Sequence, residues 1–240
     1  MIRTVKSMLI LLAVILSSSL NAQPSQEQYL DKKQKAIVRI ASLTGKGDLL
    51  KLTEELNAGL DAGLNINQIK EVLMHVYAYA GFPRSIRGLQ TFMLVVDERK
   101  SKGLVDEIGP EASEIRNDAS KYLRGKAILE ELSGVPEPNS KTGYAAFAPT
   151  IEIFLKEHLF ADIFERDVLT YQERELATIS TLSGISGVDP MLRSHFNLSL
   201  NVGLSPNQLQ EFVEIIKDSI GQEEAQEAQH VLDEVLAIKK

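Results

Sequence analysis

The chain has 240 residues, a net charge of −7, and neither cysteine nor tryptophan. Without sulfhydryls there is no disulfide, no thiolate metal site and no thiol nucleophile. An acidic chain without a basic block also argues against nucleic acid as a partner. With 44% apolar and 25% charged residues, the composition is ordinary globular material for one large or two small domains.

Residues 1–22 are set apart from the rest. Arg3 and Lys6 form a basic start, Met8 to Leu16 an apolar run, and Ser17 to Ala22 a small-residue exit. The pattern is that of a secretory signal peptide, too short and wrongly flanked for a spanning helix. Cleavage is expected after Ala22, which removes two positive charges and takes the net charge from −7 to −9. A lipoprotein anchor needs a cysteine at the new terminus, so the expected mature chain is soluble, without a stable membrane anchor, and periplasmic or secreted.

The next unit, residues 30–100, opens with RIASLTG and continues with Leu52, Leu56, Leu60 and Leu64, one apolar residue every four. Asn65 and Gln68 form a helix-start pair, and Ile69, Val72, Leu73 and Val76 follow in a helical stripe. Gly81 stops that helix and another is expected over 83–99. Residues 101–145 read as a connector containing the Pro-rich turn VPEPNSKTG.

Over 146–240 the pattern returns. TISTLSG matches RIASLTG, and Leu192, Phe196, Leu200 and Leu204 match the earlier leucines, after a helix start at Asp189-Pro190. Ser205, Pro206 and Gln208 form a capping box with proline at the first helical position. Leu209, Phe212, Val213 and Ile216 repeat the stripe, Gly221 stops it, and a last helix is expected over 222–238. No segment reads as a strand. The expected fold class is all-α, a duplicated helical repeat in a multi-helix bundle. Units of about 70 residues are small for independent cores, so the two should pack together or oligomerise.

Few residues carry candidate chemistry. His195 precedes Phe196 at the border of an apolar stripe, and His75 lies within a buried-looking helix. Both stand open between a satisfied core histidine and a site residue. His158 and His230 read as surface positions. In TYQERELATIS, Thr170 and Glu173 fit a capping box, which leaves Arg174 and Glu175 as either solvated first-turn charges or site residues. No His-Glu-x-x-His, Gly-rich phosphate loop or Ser-His-Asp pattern is present, so no metal or cofactor is expected.

The segments FLKEHLFADIFERDVLTYQERELATISTLSG, LRSH and GLSPNQLQEFV, in that order, resemble the carboxymuconolactone decarboxylase family, which includes the alkyl-hydroperoxidase D-like proteins. EVLMHVYAYAGFPRS resembles the family's Tyr-Ala-Gly-x-Pro segment. The resemblance covers most of 30–100 and 120–240. It implies an all-helical fold assembled as trimers or rings built from trimers, with Glu175 and His195 at positions where relatives keep a glutamate and a histidine. Where the peroxidase branch has Cys-x-x-Cys, this chain reads Val188-Asp189-Pro190-Met191, so thiol peroxidase chemistry has no nucleophile here. Ala161 and Phe164 stand where the decarboxylase branch typically has Gly and Trp.

At the 140-residue offset of the repeat, Tyr-Ala-Gly-Phe-Pro becomes Ser219-Ile220-Gly221-Gln222-Glu223, while Glu175 corresponds, with a one-residue gap, to Ala36 and His195 to Glu55. Each half keeps a different part of the family pattern, which is the expectation for one composite site. In it, His195 and Glu175 would be catalytic, and Arg174, Arg166, Tyr77, Tyr79, Arg84 and His75 would bind substrate. Two functions follow. One is a lyase-type acid/base enzyme acting on a small carboxylate or lactone. The other is a helical oligomer that binds a small ligand without turning it over.

Overall fold

The computed structural model describes residues 29–138 and 140–238, so the expected leader at 1–22 lies outside the described residues. Among those residues there are ten α-helices, one π-helix and no strand. The first five α-helices are α1 (Lys32–Lys46), α2 (Leu49–Asp61), α3 (Ile66–Ser101), α4 (Lys121–Ser133) and α5 (Gly143–Phe147). A short α6 (Pro149–Phe154) then runs into the π-helix Leu155–Phe164. The chain closes with α7 (Tyr171–Ser183), α8 (Asp189–Asn201), α9 (Pro206–Ile220) and α10 (Gln222–Ile238).

Local chemistry sets the helix ends. Asn65 with Gln68, Thr170 with Glu173 and Ser205 with Gln208 each make both bonds of a capping box. Gly81 breaks α3 at φ 77°, ψ 168°, and Gly221 ends α9 at φ 133°, ψ 167°. A side chain is strained in both conformations. α8 starts at Asp189 as expected, but without a side-chain cap. Val188 occupies the cap position of α8 with no side-chain bond, and Asp189 is the first helical residue, where its charge still favours the positive helix end.

The leucine and stripe residues picked out above form one core across both halves. Leu52, Leu56, Ile69, Val72, Leu73 and Val76 share it with Leu192, Phe196, Leu209, Phe212 and Ile216. At its centre α1 packs on α7. A Cβ added to Gly45 would lie 3.2 Å from the Thr181 carbonyl oxygen, and one added to Gly184 would lie 3.3 Å from the Lys46 nitrogen and 3.5 Å from the Ser42 oxygen. The contact is reciprocal, because Ser42 and Gly45 occupy in RIASLTG the places of Thr181 and Gly184 in TISTLSG.

The stretch 101–145, read as a connector, takes part in a second core. That stretch contains α4, which packs along the π-helix. Ile128 and Leu132 meet Leu159, Phe160, Ile163 and Phe164 there, whereas Phe154 stays exposed. Gly125 makes the approach possible, since a Cβ at that position would fall 1.9 Å from the Lys156 carbonyl oxygen. Lys156 itself is buried and lies between Glu152 and Glu137, and Glu152 also accepts from Lys141 and from the Tyr122 hydroxyl.

Candidate functional site

The first half of α3 places Glu71, His75 and Tyr79 four residues apart, on one face of the helix. That face packs against α7, which carries Arg174, Glu175 and Thr178. The result is a buried polar stripe in an otherwise apolar interface.

At one end Glu71, 2% exposed, is shared by two arginines. Arg166, from the turn after the π-helix, bonds its carboxylate through Nε at 2.8 Å and Nη2 at 3.1 Å, and Arg174 reaches it through Nη2 at 2.8 Å. Arg174 is fully buried, and its Nε has no hydrogen-bond partner among the described residues. Burial draws its guanidinium pKa down and the bonded Glu71 opposes the shift, while the Glu71 carboxylate raises that of Arg166.

In the middle lies His75, fully buried. Its Nδ1 is 3.3 Å from Arg174 Nη1 and its Nε2 is 2.8 Å from Thr178 Oγ1. A guanidinium only donates, so Nδ1 accepts and the ring proton sits on Nε2. Burial, reinforced by Arg174 and His195, holds this imidazole well below its ordinary pKa, so it is neutral at neutral pH. The Tyr79 hydroxyl lies 3.2 Å from Thr178 Oγ1, and burial together with the Glu175 charge pushes its pKa upward.

At the far end, His195 on α8 donates from Nδ1 to Glu175 Oε2 at 2.8 Å. Its ring meets that of Tyr79 edge-on, with centroids 5.6 Å apart. Glu175 is fully buried, and its other oxygen, Oε1, has no partner among the described residues. The His195 side chain is 12% exposed. Because Nδ1 is held by the carboxylate, Nε2 carries the lone pair of the neutral ring. Such a pair can take up a proton at Nε2 and hold the resulting imidazolium against the carboxylate.

Of the residues expected in a composite site, His75, Tyr79, Arg166, Arg174, Glu175 and His195 form this continuous stripe. Tyr79 and His75 come from the first half, and Glu175 and His195 from the second. Arg174 and Glu175 are buried rather than solvated first-turn charges. Tyr77 faces elsewhere: its ring stacks on Phe82 and its hydroxyl lies 3.1 Å from His158 Nε2. Arg84 is not brought in. Its guanidinium covers Gly47 at the end of α1, where an added Cβ would fall 1.5 Å from Nη1.

Glu71 goes unnoticed in the sequence, and His158, a surface position as expected, makes a contact to Tyr77 that the sequence does not announce. Glu71 had a signal, since it stands four residues before His75 and eight before Tyr79. His158 had none, because its meeting with Tyr77 spans 81 positions. No protein-family model and no curated protein matches this chain.

Proposed function

We propose that the protein is a cofactor-independent acid/base catalyst, a lyase or proton-transfer enzyme acting on a small carboxylate or lactone. His195 is the proton-transfer group and Glu175 its partner. One observation carries this reading: a fully buried carboxylate gives one oxygen to His195 and leaves the other unpartnered. Burying such a group costs several kcal/mol unless it is fully paired, so packing alone gives no reason for it. In an enolisation, Nε2 takes the proton beside the carbonyl, leaving an enolate and an imidazolium. In a decarboxylation, Nε2 takes the carboxyl proton, the carbon–carbon bond breaks, carbon dioxide leaves and the imidazolium gives that proton to the enolate carbon.

The proposal includes kinship with the carboxymuconolactone decarboxylase-like proteins, two copies of one helical unit, and export behind residues 1–22. It also includes assembly as a homotrimer or a ring of trimers. The exposed apolar side chains of Phe147, Ile151 and Phe154, and of Met93 and Leu94, support assembly. Light scattering on the mature chain is expected to give a trimer or a multiple of it, and a stable monomer would contradict this.

A second reading, ligand binding without turnover, has one observation in its favour. The apolar pocket beside Tyr77 is not lined by His195 or Glu175. The two readings separate on His195→Asn. If His195 transfers protons, a panel of small β-keto acids and lactones contains a compound that exchanges carbon-bound hydrogen for deuterium or releases carbon dioxide. The variant then loses about 10²–10⁴ in rate with its melting temperature nearly unchanged. Binding by the wild type without any turnover, or a large loss of melting temperature with unchanged rate, overturns the catalytic reading.

A further inference from the structure

We propose that the pocket between α3 and the π-helix is a separate binding site for a small uncharged aromatic alcohol of the phenol class. The pocket has a volume of about 380 Å³. At about 30 Å³ for each water-sized group it holds roughly a dozen non-hydrogen atoms. Met74, Phe82, Ile86, Leu89 and Ile163 make it apolar, with Phe82 and Ile86 exposed at its mouth. Phe82 lies 4.1 Å from the Tyr77 ring centre to centre, and with the thioether of Met74 it suits a flat ring.

The polar end selects the ligand's hydrogen-bonding group. His158 Nδ1 is 3.2 Å from Asp162 Oδ2, and a carboxylate only accepts, so in the neutral ring Nδ1 carries the proton. Nε2 therefore accepts the Tyr77 hydroxyl proton at 3.1 Å. The Tyr77 oxygen, its proton committed to His158, is left with lone pairs for an incoming donor. The charged groups around the pocket already have partners of opposite sign. Glu71 is held by Arg166 and Arg174, Asp162 by Lys121 at 2.8 Å, and Arg166 also feels Glu111 and Asp167. Among the described residues lining the pocket the one permanent cation, Arg166, already gives Nε and Nη2 to Glu71, so the hydroxyl of the ligand, rather than a charge, is what the Tyr77 oxygen selects.

The site is distinct from the His195 centre and does not rest on the catalytic proposal. Tyr77 and Tyr79 are two residues apart in a helix and project to nearly opposite sides, one toward His158 and the other toward His195.

Calorimetric titration with para-ethylphenol, para-ethylanisole and para-ethylbenzoate tests the assignment. The phenol is expected to bind about 10-fold more tightly than the anisole, which has the same ring but no proton to donate. The benzoate should gain nothing from its charge. Tyr77→Phe should erase the preference for the phenol over the anisole. Ile86→Trp, a change at an exposed position that fills the pocket, should weaken the phenol at least about 10-fold while the helical circular dichroism is kept. His195→Asn should leave phenol binding unchanged, which separates this site from the catalytic one. Tightest binding by the benzoate, equal binding of phenol and anisole, or no effect of Ile86→Trp would each overturn the proposal. So would absence of phenol binding because a second copy of the chain seals the pocket.

Discussion

Replacing Glu71 by alanine is expected to destabilise the protein by about 3–5 kcal/mol, the usual result of removing one member of a buried ion pair. Arg174 is fully buried and Glu71 is the carboxylate it reaches. Without Glu71 the guanidinium keeps, among the described residues, the Arg166 carbonyl and the His75 ring as hydrogen-bond partners. Arg166 is less affected, because its side chain is 35% exposed and water can replace the lost partner. The double change Glu71→Leu, Arg174→Leu removes both buried charges and should recover much of the loss. Urea unfolding of the wild type and the two variants measures this. A single-variant loss below about 1 kcal/mol, the range of an exposed pair, would show that the stripe is not electrostatically closed.

The second large effect depends on pH. Burial alone would raise the Glu152 carboxyl, but bonds from Lys141, Lys156 and Tyr122 outweigh it and bring the pKa from 4.5 to about 2. The folded-state pKa lies below the unfolded one, so the contribution is fully present above about 4.5 and is lost as pH falls toward 2. A shift of that size corresponds to about 3 kcal/mol. Glu152→Gln should therefore be less stable than wild type by about this amount at neutral pH. The gap should close as both proteins are acidified. A difference that stays constant from neutral pH down to 2 would mean that the ion pairs of Glu152 do not contribute through its charge.

The helices themselves were legible residue by residue. Capping boxes, apolar stripes and stop glycines act within about four neighbours, so Asn65 with Gln68, Ser205 with Gln208, Gly81 and Gly221 announce the same ends in the sequence and in the fold. The all-helical class follows from those local signals, and the return of the RIASLTG pattern in TISTLSG marked the two segments that meet at the centre of the core. The side-chain pairings of the candidate site depend on packing between helices. Spacing alone could not tell whether Arg174 and Glu175 were solvated or buried, because a first-turn charge is covered only when another helix lies over it. Here α3 covers Arg174 and α8 brings His195 onto Glu175. The second core was hidden for the same reason: α4 sits in a polar, Pro-flanked stretch, and its apolar face is defined only by the π-helix opposite. Tyr77, Tyr79 and Arg84 lie within eight residues of one another, yet they serve a pocket, a buried stripe and a helix end. The turn at Gly81 and the helix rotation between neighbours point each side chain in its own direction, and only the packed elements around them decide what each one meets.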